Sequence, residues 1–105
     1  MSLNKLALEC YHNARERGFH DKPRSFGEEI ALIHSEASEA LEEYRNSHLG
    51  PKDAPNDRNV VEEFADMIIR ICDTAGKYGY DLDSAIEIKM ERNRNRSYRH
   101  GGKNL

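Results

Sequence analysis

Apolar residues recur along this 105-residue chain at the three-and-four spacing of amphipathic helices, and no stretch holds the alternation of a strand. An all-α fold of four helices is predicted. Leu6, Cys10 and Ala14 mark the inward side of a first helix from Leu3 to about Arg17, which Gly18 ends. "FHDKPRS" is a connector broken by Pro23. Ser25 with Glu28 forms a capping box for a second helix striped by Ile30, Ile33, Ala37, Leu41 and Tyr44. "NSHLGPKDAPND" cannot continue it and is the longest predicted loop. Asn59 with Glu62 then opens a third helix, from Val60 to about Lys77, whose inward row is Val60, Phe64, Ile68, Ile71 and Ala75. Asp81 or Asp83 caps a fourth, which begins apolar with Leu82, Ala85 and Ile86 and runs to about Arg96.

This length gives one domain with one small core, so the chain reads as a helical domain over residues 1–98 followed by a flexible basic tail over residues 99–105. Small cores stabilise monomers modestly, and self-association is expected. No apolar run approaches the roughly 20 residues of a membrane span, and no signal-peptide pattern opens the chain. A soluble, cytoplasmic protein follows as the expectation, with no membrane partner. Its two cysteines, Cys10 and Cys72, lack metal-site spacing and read as reduced core residues.

Charge changes this picture more than composition does. The net charge of −3 divides into +5 over the 17 residues from Lys89 and −8 over the rest. An acidic body with a basic end suits a site where metal ions and phosphates meet, and equally a basic arm on nucleic acid.

The acids are concentrated in "HSEASEALEEY", where Glu36 and Glu39 lie three positions apart. On a helix such residues sit about 60° apart around the axis and about 4.5 Å along it, so they project together. Glu63 and Asp66 repeat the spacing on the third helix. Four converging carboxylates would resist joint ionisation, and a hard divalent cation such as Mg²⁺ removes the conflict. Taken alone, either pair is more often a solvated surface pair, and Asp66 with Arg70 has the spacing of an ordinary surface ion pair. The fourth helix adds the missing half of a phosphate site. Its apolar face continues into Lys89, Asn93 and Arg96, a point charge, a neutral donor and a planar fork.

With these segments in order, the sequence resembles the MazG-like all-α nucleoside triphosphate pyrophosphohydrolases. "SEASEALEEYR" carries an ExxE motif at Glu36 and Glu39, "EEFADMIIRICD" an ExxD motif at Glu63 and Asp66, and "KMERNRNR" a Lys-x-x-x-Asn-x-x-Arg pattern. The resemblance implies a four-helix domain assembling as a dimer or dimer of dimers. It also implies Mg²⁺-dependent cleavage, with Mn²⁺ as an alternative ion, of a (deoxy)nucleoside triphosphate to the monophosphate and pyrophosphate. In its terms Glu36, Glu39, Glu63 and Asp66 hold the metal, and Lys89, Asn93 and Arg96 hold phosphates. Either Glu39 or Glu36 would orient the attacking water or take its proton, since no triad-like nucleophile is evident. His12, Phe19 and His20 are candidates for holding the base, and Arg99, His100 and Lys103 for a lid over the phosphates. The reaction would suit removal of non-standard or surplus nucleotides. Two rivals remain: a phosphoribosyl-ATP pyrophosphohydrolase-like enzyme, and a non-catalytic helical module binding nucleic acid or protein through its basic tail. The acidic face argues against nucleic acid.

Overall fold

A computed structural model describes residues 2–46 and 58–96, and among these the chain is all-α. The helices are α1 (Leu3–Glu16), α2 (Phe26–Asn46), α3 (Arg58–Tyr78) and α4 (Leu82–Arg94). The long loop and the tail, with the lid candidates Arg99, His100 and Lys103, lie outside the described residues.

Local chemistry explains most of the helix ends. Ser2 caps α1, its hydroxyl accepting from the Lys5 amide, and Gly18 leaves the helix at a φ of 84° that favours glycine. The capping box before α2 is complete: the Glu28 carboxylate accepts from the Ser25 amide at 2.9 Å, and the Ser25 hydroxyl from the Glu28 amide at 3.1 Å. Asp81 caps α4, accepting from the Ser84 amide at 3.0 Å. Asp83 turns instead to α1, accepting from the Leu3 amide at 2.8 Å and the Ser2 hydroxyl at 2.6 Å. The first turn of the last helix thus closes the start of the first. Helix α4 ends at Arg94, two residues short of the expected end, so Arg96 lies beyond the C-cap Asn95.

The core is a seam of small residues between α1 and α3. Ala7 and Cys10 meet Cys72 and Ala75, with Leu6 and Leu82 packed against them. The backbones approach so closely that a Cβ on Gly76 would come within 2.4 Å of the Ala7 carbonyl oxygen. Both cysteines are buried and free, as expected, and burial pushes both thiols above the usual thiol range. Helix α2 lies on another flank of α3. Glu29, 2% exposed, is held there by Arg24 at 2.7 Å and Lys77 at 3.8 Å.

The apolar rows expected to face inward largely do not. Phe64, Ile68 and Ile71 on α3, and Ile30 and Leu41 on α2, are exposed, while Cys72 to Ala75 and Glu29, Glu36 and Ala40 are buried. The seam selects small residues that let the backbones close, and the large residues are left on the outer flank. Helix α4 contributes Leu82 to the core and then leaves it, since residues 84–96 are all exposed. No helix among the described residues is long and apolar enough to cross a membrane.

Candidate metal centre and adjoining cavity

Antiparallel packing of α2 on α3 sets Glu36 opposite Arg70, whose Nε donates to a Glu36 oxygen at 3.2 Å. One turn further along α2, and toward the start of α3, the carboxylates converge. Glu36, Glu39 and Glu63 each place a carboxylate oxygen within 4.8 Å of the others, an arrangement that could hold a metal ion. Asp66 stands beside this trio, hydrogen-bonded to Glu63, and its charge also reaches Glu39. The ExxE and ExxD pairs therefore meet across the helix interface.

Crowded negative charge leaves its mark on proton affinity. A hydrogen bond with Glu36, then the charges of Glu36 and Glu63, push the Glu39 carboxyl up to about 7. Glu63 is also raised, by burial first and then by Asp66. One Glu63 oxygen is buried without any hydrogen-bond partner. A buried carboxylate oxygen left unpaired costs free energy unless a proton or cation meets it. This donor set of carboxylate oxygens alone is the chemistry that Mg²⁺ and similar hard cations take.

Beside the carboxylates, a cavity of about 470 Å³ opens between α1, α2 and α3. Glu36 and Asp66 form part of one wall, and Asn13, Arg17 and Phe19 face them from α1 and its connector. A single chain thus puts a pocket of ligand size against the acidic trio.

Of the base-holding candidates, Phe19 lines the cavity and is half-exposed, so a ring face is available for stacking. His20 is engaged elsewhere. Its Nε2 lies 2.7 Å from an Asp73 carboxylate oxygen, in a pair that ties the connector to α3. His12 lies exposed on α1 beside Tyr11 and does not line the cavity. Lys89, Asn93 and Arg96 are exposed at and beyond α4, and no hydrogen bond or ion pair among the described residues joins them to the carboxylates.

No protein-family model, no curated protein and no solved structure matches the chain. The site therefore rests on its own geometry.

Three residues of this site were missed in the sequence. Arg70 pairs with Glu36 across the interface rather than with Asp66 on its own helix. Asn13 and Arg17, four apart on the polar side of α1, share the cavity wall. The four-residue spacing was readable, but its partner wall could not be known before the helices were packed.

Proposed function

We propose that the chain hydrolyses a nucleoside triphosphate between its α- and β-phosphates, with the base and sugar in the cavity and the phosphates at the carboxylates. The observation that carries this reading is the meeting of Glu36, Glu39 and Glu63 at the edge of a cavity that Glu36 and Asp66 also line. An acidic trio by itself would repel phosphates, so the reading requires a cation, held by Glu36, Glu39 and Glu63 with Asp66 beside them. A bound Mg²⁺ would neutralise phosphate oxygens and lower the pKa of a bound water.

The chain's own groups then have distinct work. Glu39, the exposed member of the trio, is placed where it can orient a water beside the cation and take its proton. As the base it would accept a proton from the water that attacks the α-phosphorus, while the bond to the bridging oxygen breaks and pyrophosphate departs. Arg70, donating to Glu36, holds that carboxylate in place. Phe19 offers a stacking face for the base, and Asn13 supplies an amide that can both donate and accept a hydrogen bond.

The reading is tested by pyrophosphate release from a panel of standard and modified NTPs and dNTPs, with and without Mg²⁺, using the native chain and Glu39→Gln. Metal-dependent release that disappears in the variant is expected. A folded, metal-supplied protein that releases pyrophosphate from none of them would overturn the proposal.

A further inference from the structure

We propose that Arg17 holds the phosphate joined directly to the sugar, the α-phosphate of the bound nucleotide, from the cavity wall that faces the carboxylates. The assignment rests on the function proposed above and adds to it a cation that the cavity itself provides. Two cations line the cavity, Arg17 and Arg70. Arg70 is already committed, since its Nε donates to Glu36 at 3.2 Å. Arg17 is exposed at the C-cap of α1, and among the described residues its guanidinium enters no hydrogen bond and no ion pair. It is the free cation of the cavity wall among the described residues.

Helix geometry explains why a charge stands there. Arg17 follows Cys10 by seven residues, close to two turns, so it continues the side of α1 that carries buried Cys10. Asn13 and Ala14 lie between them on that side, and all four line the cavity. Helices α1 and α3 run antiparallel, with Ala7 against Gly76 and Cys10 packed with Cys72. Seven residues on from Cys10 and seven back from Cys72, Arg17 comes level with Ala65, the neighbour of Asp66. The row that seals the core therefore ends in a guanidinium at the acidic end of the cavity.

Charge then selects the occupant. Arg17 forms no ion pair with Glu36 or Asp66, although all three line one cavity of about 470 Å³. A group that fits between these walls is positive toward the carboxylates and negative toward the arginine, and a phosphate carrying a hard cation has that order of charge. The planar fork of arginine suits two oxygens of one phosphate. With base and sugar in the cavity, the first phosphate after the sugar lies at this wall, and the remaining two extend over the trio. Arg17 thus offsets charge on the phosphate that water attacks, and stays with the monophosphate when pyrophosphate leaves.

Binding without turnover tests this. Isothermal titration calorimetry in Mg²⁺ would compare AMP, GMP, CMP and UMP and their deoxy forms, each beside its own nucleoside, and inorganic pyrophosphate, on the native chain, Arg17→Ala and Arg17→Lys. Because no contact of the fold uses the Arg17 side chain, both variants are expected to melt as the native chain does. The native chain should bind at least one monophosphate more tightly than its nucleoside. Arg17→Ala should weaken that monophosphate about 10- to 100-fold, the loss expected of a charged hydrogen bond, and leave nucleoside and pyrophosphate unchanged. Arg17→Lys, which keeps the charge without the fork, should recover part of the loss. An unchanged monophosphate affinity in Arg17→Ala would overturn the proposal. So would an equal loss for the nucleoside, a loss confined to pyrophosphate, or a native chain that binds no monophosphate at millimolar concentration. The pyrophosphate-release assay separates the two ideas: release with monophosphate binding indifferent to Arg17 removes only this assignment, and Arg17-dependent binding without release removes only the hydrolysis.

Discussion

The two halves of α3 follow opposite rules. From Cys72 to Gly76 the helix is sealed against α1, with a glycine where no other side chain fits and buried small residues around it. From Val61 to Ile71 it carries large apolar residues on its outer flank and acids toward α2, with Glu63 holding a buried, unpartnered oxygen. The sealed half is satisfied within the chain, whereas the open half leaves a carboxylate oxygen unpaired and large apolar side chains exposed. On the proposed function, stability and activity separate along this one helix, and substitutions should sort accordingly.

The largest expected effect is at the open end. Glu39→Gln should lower metal-dependent pyrophosphate release by about 100-fold or more, as loss of a general base does, while thermal melting shows the fold retained. A similar loss from a substitution in the sealed half without a drop in melting temperature would break the division.

Gly76→Ala tests the sealed end. The new Cβ meets backbone rather than a movable side chain, so overpacking should cost about 1–3 kcal/mol in urea unfolding. His20→Ala belongs with it. The change removes the partner at 2.7 Å from buried Asp73 and should cost about 1–3 kcal/mol, with KM for any nucleotide substrate little altered in the remaining folded protein. A change in KM without loss of stability would return His20 to the binding site.

A subtler separation is available through pH. Between 4.5, the ordinary carboxyl value, and about 7, folded Glu39 keeps a proton that the unfolded chain has lost. The folded state therefore binds more protons, and its contribution to stability is greatest at low pH and declines as pH rises through that window. Metal-free protein should lose melting temperature across it. Added Mg²⁺ should restore the loss above the window and do little below it, since metal and proton compete for the same oxygens. Glu39→Gln should flatten both responses, and a Mg²⁺ response unchanged in that variant would remove Glu39 from the metal centre. The smallest effect belongs to Glu42→Gln, whose side chain is exposed and 3.9 Å from Arg45. No measurable change in melting or turnover is expected there.

The helices and most of their caps were legible because they depend on neighbours in sequence; the exception is Asn59, expected to cap α3, which lies inside that helix because it begins at Arg58. Ser25 with Glu28 and Asp81 with Ser84 satisfy amide donors within one turn, and three-residue spacing alone put Glu36 with Glu39 and Glu63 with Asp66. Which apolar row faced the core was not legible. Periodicity marks a face without naming what covers it, and Phe64 and Ile68 have the pattern of core residues whether α1 or a second chain lies over them. The inward turn of Glu29 was hidden for a related reason. Its partners Arg24 and Lys77 come from segments that only packing brings together. The roles of Asp81 and Asp83 could not be divided from sequence either, because one serves its own helix and the other serves a helix about 80 residues away.

That last contact bears on how the protein is made. The amides at the start of α1 receive their carboxylate from Asp83, and until that residue has been synthesised the first helix has only Ser2 to hold its end. A helix of 14 residues without tertiary support is marginal in water. On the ribosome, α1 should therefore fray and reform while most of the chain emerges, and settle only after α3 and the first turn of α4 have left the exit tunnel. Pulse-labelling hydrogen exchange on stalled chains would read this as protection of Leu3 to Lys5 that arrives only with α4, although those residues are translated before the other three helices.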